Sequence, residues 1–254
     1  VSNSPNTVSP PSNESESSTV DKSGERVKEM FAQIAPRYDL LNHLLSGGID
    51  IWWRKKAVKR LRLDMNLPLL DCCTGTGDLA LMLADRVKGA VPVIGCDFCP
   101  PMLEIADKKH QAASTKYPVR FMEADSQELP FENDAFQAVT VAFGLRNVQN
   151  TRRGLGEMIR VCAPGGQVAV LEFSQPEAFG FKQAYQFYFR KILPRLGQSI
   201  AKNSHQAYEY LPNSVIQFPS GRDFLQLMES MGLKNVRWFP YTLGIASLYL
   251  GDKV

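Results

Sequence analysis

No apolar run in the 254 residues approaches the roughly 18 that a helix needs to cross a bilayer, so a spanning helix is excluded and only contact at a membrane surface stays open. Excess charge of either sign is lacking too. The 29 Lys and Arg against 26 Asp and Glu leave a formal net charge of +3, which gives no electrostatic reason to expect DNA or RNA as a partner. The five cysteines are an odd number, and Cys96-x-x-Cys99 has no second Cys or His pair to complete a zinc site. Reduced thiols and no metal are therefore expected. Residues 1–20 contain no Lys or Arg and are rich in Ser, Asn and Pro, with Glu14 and Glu16. That composition reads as a disordered tail and fits neither an Arg-rich transit peptide nor an apolar signal sequence. A bacterial cytoplasmic protein is the expectation.

What is present is a 44% hydrophobic chain with material for one substantial core, hence one domain over residues 21–254. From Asp21 the sequence becomes charged and amphipathic, with Val27, Met30, Phe31 and Ile34 at helical spacing until Pro36 interrupts. A second amphipathic helix is expected after Gly47-Gly48, running to Leu61, so that residues 21–66 form a helical cap. Short apolar runs then alternate with helical stretches. Strands are expected at 69–73, 91–97, 119–124, 136–143, 167–173, 236–239 and 245–250, and helices at 79–87, 101–109, 151–161 and 222–231. Such alternation predicts an α/β fold, a mostly parallel sheet with helices on both faces. The core should occupy 67–175, an insertion on the substrate side 176–218, and a final helix and hairpin 219–254. Ser220 is the expected N-cap of that last helix and Gly232 its terminator.

The first strand runs into Asp71-Cys72-Cys73-Thr74-Gly75-Thr76-Gly77-Asp78 and straight on into a helix. Gly75 and Gly77 allow the backbone of such a turn to approach a ligand closely, and Asp97, about 20 residues on at the end of the next strand, can hold ribose hydroxyls. A dinucleotide would bring an anionic pyrophosphate against Asp71 and Asp78, and the third glycine of that fingerprint is replaced by Ala80. S-adenosylmethionine brings an ammonium and a sulfonium, for which acids are favourable neighbours. The third strand delivers Asp125, placed to accept from an adenine amino group, and Ser126. The fourth brings Ala142-Phe143-Gly144 to the same carboxyl edge, where open α/β sheets bind ligands.

The segments MFAQIAPRYDLLNHLLSGG, LDCCTGTGDLA, EADSQELPF, VAFGLRNV, RVCAPGGQVAVLEFSQP and YEYLPNSVIQFP resemble the ubiquinone/menaquinone biosynthesis C-methyltransferases, over nearly the whole chain from Val27. The resemblance implies a class I S-adenosylmethionine-dependent methyltransferase fold, Rossmann-like, with seven strands, the last antiparallel. It also implies methylation at a ring carbon of a prenylated quinol, with demethylmenaquinol converted to menaquinol as the first reading and a benzoquinol of ubiquinone synthesis as the second. The family's cofactor contacts map onto Thr76, Asp97, Asp125, Ser126 and Ala142, where relatives often carry Ser. Asp50 is another departure, at a position commonly basic.

Carbon methylation needs a carbon nucleophile, which a quinol provides when its hydroxyl proton leaves. Arg146 can stabilise the oxyanion and Asn147 orient it, against the plainer reading of Arg146 as an ion pair with a nearby acid. His43 and His205 are the candidate bases, against the plainer reading of each as a structural histidine; His110 is expected to be solvated. Tyr38, Tyr208 and Tyr210 either line the site or pack, with packing the expectation. An aromatic stripe, Phe181, Tyr185, Tyr188, Phe189 and Ile192, offers either core contacts or a groove for the prenyl tail at a membrane surface. Homo-oligomers and a quinone-synthesis assembly are the open partnerships, and an inert cofactor-binding subunit of such an assembly is the rival of another class.

Overall fold

The computed structural model describes residues 23–112, 117–176 and 205–254. The expected tail, the aromatic stripe of 181–192 and most of the expected insertion lie outside them, as do the side chains of His43, His205 and Tyr208. Seven strands form one sheet in the order β3-β2-β1-β4-β5-β7-β6. They are β1 (Leu69–Cys72), β2 (Val93–Asp97), β3 (Val119–Glu123), β4 (Phe136–Ala142), β5 (Cys162–Phe173), β6 (Lys234–Tyr241) and β7 (Ala246–Asp252). The first five run parallel, and β7 is antiparallel to both β5 and β6.

Burial explains which runs became central strands. All of β1 is buried, and β4 is buried from Phe136 to Val141, because helices cover both faces. One core, around Val139, Val170, Met158, Phe224 and Tyr249, lies on one face; the other, around Leu69, Ala80, Leu83, Phe143 and Leu248, lies on the opposite face. Pro240, which cannot donate to a ladder, sits in β6, the edge strand that pairs only with β7.

Eight helices are described: α1 (Gly24–Ile34), α2 (Tyr38–Ser46), α3 (Ile49–Arg60), α4 (Asp78–Val87), α5 (Pro100–Ala112), α6 (Thr151–Val161), α7 (His205–Gln217) and α8 (Arg222–Ser230). Pro36 does interrupt the first helix, as part of a 3-10 turn, Ala35–Arg37. Asn150 caps α6, its side chain accepting from Arg153 N at 3.0 Å. Two local expectations are corrected. Gly221, not Ser220, precedes α8 with φ 60° and ψ −127°, a glycine conformation, and its N–H donates to Tyr249 Oη at 2.6 Å instead of to a cap side chain. Strand β5 begins at Cys162, earlier than expected, because Phe136 pairs with Cys162 and Ala138 with Gln167, so the intervening Pro-Gly-Gly turn bulges out of the ladder.

The expected amphipathic helix α3 buries charge. Its inward face carries Trp53, Ala57 and Val58 together with Asp50 and Arg54, an ion pair at 2.6 Å with both side chains under one tenth exposed. Ser46 Oγ donates to the other oxygen of Asp50 at 2.6 Å. The cap of α1 to α3 is tied to the sheet by polar contacts at several points. Thr76 Oγ1 donates to Asp39 Oδ1 at 2.6 Å, Lys109 Nζ bridges Asp39 and Asp78, and Trp53 Nε1 donates to Thr242 Oγ1 at 2.8 Å.

Removing one partner of a buried ion pair leaves the other charged and unpaired, at about 3–5 kcal/mol, whereas replacing both with apolar groups of similar volume is close to neutral. Asp50→Ala should therefore lower the melting temperature sharply and Asp50→Leu/Arg54→Met should recover most of the loss. Thermal melts of the two variants check this, and an equal loss in both would assign the cost to packing.

Candidate active site

At the carboxyl ends of β1, β2 and β4 a cleft of about 670 Å³, mouth included, is roofed by Phe31 of α1 and Tyr38 of α2. Of the residues singled out from the sequence for the cofactor or for catalysis, Gly75, Asp97, Asp125, Ser126, Ala142 and Asn147 line it, and so does Tyr38, where packing was the expectation.

Asp97 ends β2. Its two carboxylate oxygens accept from Gly75 N and Cys99 N, each at 2.9 Å, which fixes the carboxylate between the glycine loop and the start of α5. Burial pushes its pKa up to about 6, against the pull of these N–H donors. A carboxylate offers about four acceptor sites, so Asp97 keeps capacity for a pair of hydroxyls. Asp125 is exposed and accepts from Gln127 N at 2.8 Å. Ser126 Oγ lies 3.2 Å from Cys73 Sγ, and Ala142 contributes only a methyl and backbone to the end of β4.

Beside Ala142 the backbone is strained. Phe143 at the end of β4 and Cys73 at the end of β1 both take positive φ, 60° and 48°. The two turns touch through Gly144, where a Cβ would stand 2.3 Å from the Cβ of Cys73. Two donors converge on the carbonyl of Phe143: Arg146 Nη1 and, at 3.4 Å, Asn147 Nδ2. The Phe143 ring lies 4.5 Å from Phe173 and 6.0 Å from Trp53, centroid to centroid, with the Arg54 guanidinium 5.1 Å over its face.

The remaining expected residues lie behind this surface. Asp71 is buried, and its carboxylate accepts from Thr74 Oγ1 at 2.6 Å and Thr140 Oγ1 at 2.8 Å, binding the loop to β4 rather than facing the cleft. Burial pushes its pKa up to about 7. Thr76 is spent on Asp39, and Asp78 on Lys109. Gly77, at φ 84°, opens α4, and a Cβ there would meet Phe121 at 2.8 Å. Among the described residues the acids that meet the cleft are thus Asp97 and Asp125, not Asp71 and Asp78.

Arg146 is buried, with Nη1 2.6 Å from Glu172 Oε1, so the ion pair weighed against its catalytic role is made. The same turn nevertheless leaves Arg146 Nε and Asn147 Oδ1 buried with no partner among the described residues, unusual for polar atoms in a native fold. His110 is not simply solvated: its Nε2 lies 3.0 Å from the carbonyl of Tyr117 and its ring meets Phe121 edge-on. Burial raises the pKa of the Tyr38 phenol, opposed by Asn42 and by the nearby guanidiniums of Arg146 and Arg54.

Phe31, Phe98, Met102 and Gln127 also line the cleft and went unrecognised in the sequence. Phe98 had a signal, as the aromatic directly after the ribose-type acid; Phe31 was indistinguishable from an ordinary core position.

The ubiE/COQ5 methyltransferase family model matches residues 19–253. The chain belongs to that family. It is 46% identical, over 91% of its length and 97% of the relative's, to the ubiquinone/menaquinone biosynthesis C-methyltransferase UbiE of Geotalea daltonii. It is 48% identical, over 88% of its length and all of the relative's, to the demethylmenaquinone methyltransferase of Thermus thermophilus. Among solved structures, a SAM-dependent methyltransferase of Thermotoga maritima, a possible histamine N-methyltransferase, superposes with a TM-score of 0.63 at 19% identity, covering 90% of this chain and 100% of that one. The [4+2]-cyclase SpnF superposes almost as well, with a TM-score of 0.61 at 18% identity over 91% of this chain and 96% of its own. These likenesses show a class I methyltransferase fold, and the cyclase illustrates that the fold alone does not fix the chemistry. Membership of the family does: this is an S-adenosylmethionine-dependent methyltransferase.

The cleft fits that donor, since its two facing acids and the free lone pairs of Asp97 suit a cationic molecule bearing a ribose diol. In this methyltransferase the pKa of Asp71 is about 7 in the fold against about 3.9 unfolded. A raised acid contributes stability that is fully present below about pH 4 and is lost as pH rises through about 7. Asp71→Asn, which keeps both threonine contacts available, should therefore gain in melting temperature relative to the parent between pH 5 and pH 8. Paired melts at the two pH values check this; an offset that does not change with pH would mean that Asp71 titrates normally.

Proposed function

We propose that this enzyme methylates a ring carbon of a prenylated naphthoquinol, converting demethylmenaquinol to menaquinol in menaquinone biosynthesis. The family assignment supports carbon methylation in quinone biosynthesis generally. What supports the naphthoquinol over the benzoquinol of the ubiquinone route is the 48% identity to the demethylmenaquinone methyltransferase of Thermus thermophilus along that protein's whole length. The observation that carries an active enzyme rather than an inert subunit is the turn after β4, where Asn147, which lines the cleft, keeps its Oδ1 unspent and the neighbouring Arg146 keeps its buried Nε unspent behind it.

Bound S-adenosylmethionine supplies an electrophilic methyl group. Asp97 would hold the ribose hydroxyls, Asp125 the adenine amino group, and Phe98 an apolar wall beside them. The quinol must lose its hydroxyl proton for charge to reach the ring carbon. Asn147 Oδ1 is suited to accept from that hydroxyl and orient it. Arg146 Nε is suited to donate to the oxygen as charge develops, with Glu172 and the Phe143 carbonyl holding the guanidinium in place. After methylation the same carbon gives up its hydrogen, the hydroxyl is regained, and one proton is released overall. Phe143, which lines the cleft and is backed by Phe173 and Trp53, keeps water from the carbon nucleophile.

With labelled donor, demethylated naphthoquinol should accept label at least about tenfold faster than the matching benzoquinol, a difference of about 1.4 kcal/mol in barrier. Equal rates would make the enzyme dual, and no label in either would return the inert subunit. In the same preparation Asp97→Ala should weaken donor binding by about tenfold or more in a calorimetric titration, the value of a hydrogen bond to a charged group.

A further inference from the structure

Most of the large apolar side chains that the described fold leaves exposed are Leu40, Ile49, Trp52 and Leu243, each at least 41% exposed, with Ile216 elsewhere on α7. Ile49 and Trp52 are one turn apart on α3, and the Trp52 ring meets Tyr241 edge-on at 5.6 Å. Thr242, held by Trp53, then places Leu243 beside the start of α3. The same outer face of α3 continues into Lys55, Lys56, Lys59 and Arg60, all exposed. None of these four pairs with an acid among the described residues. The helix contains one acid, Asp50, and it is buried against Arg54. Lys56 Nζ lies 5.3 Å over the Trp52 ring and the Arg60 guanidinium 3.9 Å over Phe239, so the cations sit against the aromatics rather than apart from them.

In a chain whose net charge is only +3, four unpaired cations on one helix face are a local concentration, not a general property. A Trp and aliphatic tip bordered by basic residues is the composition of a surface that seats at the boundary between headgroups and acyl chains. Its position is the second observation. The Thr242–Gly244 turn follows β6 at the edge of the sheet where β5 ends in Phe173, and Ala246 pairs with Phe173. Trp53, the neighbour of Trp52, packs behind Phe143, which lines the cleft. The patch and the active site thus share one edge of the molecule.

We propose that the outer face of α3 with the Leu243 turn docks on an anionic lipid bilayer and lets the prenylated quinol pass between membrane and cleft. This rests on the prenylated substrate of the preceding subsection. The charge selects anionic headgroups, and Ile49, Trp52 and Leu243 enter the interface. An acidic protein or a second copy of the chain would need a shaped counter-surface; a bilayer needs only this mixture of cations and apolar tips.

The test is cosedimentation of the full chain with vesicles of phosphatidylcholine alone or mixed with phosphatidylglycerol. Binding should be at least about tenfold stronger to the anionic vesicles and fall with added salt. Lys55→Glu/Lys56→Glu/Lys59→Glu and, separately, Trp52→Glu should each lose about tenfold or more of that binding with melting temperature retained. Both variants should methylate a soluble, tail-truncated quinol at the parental rate and lose rate only on long-tailed quinol embedded in anionic vesicles. Parental protein that ignores anionic vesicles, or binds both kinds equally, overturns the proposal without need of any variant. Folded variants that bind like the parent overturn the assignment to this face. Failure of the parent on every soluble quinol would instead count against the substrate reading, leaving the vesicle result to stand separately.

Discussion

Strands β1 and β4 end side by side, and each turns through a left-handed residue, Cys73 and Phe143, at a cost of about 1–3 kcal/mol apiece. Much of the surrounding architecture serves to hold that strain. Two donors from the next turn, Arg146 and Asn147, converge on the Phe143 carbonyl, and the Phe143 ring is gripped by Trp53, Phe173 and the Arg54 guanidinium. The glycine loop on the other side is pinned by Thr74 and Thr140 to Asp71. Buried charge, costly by itself, is arranged on both flanks of this ridge: Asp50 with Arg54 and Glu172 with Arg146.

The consequence for chemistry is a division of labour between the two sides of the cleft. On the β2 and β3 side, carboxylates face inward and suit a cationic donor. On the β4 side, guanidiniums stand close behind an aromatic wall and suit a substrate that becomes anionic. Such opposite fields favour binding of the cationic donor and ionisation of the quinol; because the transfer then neutralises both charges, they act on assembling the reactive pair rather than on the methyl-transfer step itself.

The sheet was legible in the sequence because its inner strands are buried on both faces and therefore read as apolar runs between helical periods. Asp97, Asp125 and Ala142 were legible as strand ends at one edge. The direction of Asp71 and Thr76 was not, since a residue at a strand-to-loop junction faces the ligand or the core according to one backbone turn, and the threonines that claim Asp71 come from two separate elements, the loop and β4. The pairing of Asp50 with Arg54 was not read from the sequence, since an i, i+4 acid and base show no burial until their helix is seen to face the core. Gly221 displaced Ser220 as the residue before α8 because Tyr249, from a distant strand, takes its N–H. The unspent atoms of Arg146 and Asn147 could only be found by accounting for every neighbour.

Gly144 carries a wider implication. Its φ of −113° and ψ of −34° are open to any residue, so nothing in its own backbone demands glycine. What forbids a side chain is Cys73, whose Cβ occupies the same space. Cys73, by contrast, has the backbone that glycine prefers. In a diverging lineage the two positions would behave as one character with a single rule: at least one of them must lack a Cβ. A lineage that first acquired glycine at 73 would shed the strain there and, in the same step, open position 144 to alanine once Val141 Cγ2, at 3.3 Å, gives by a few tenths of an ångström, whereas the reverse order is closed.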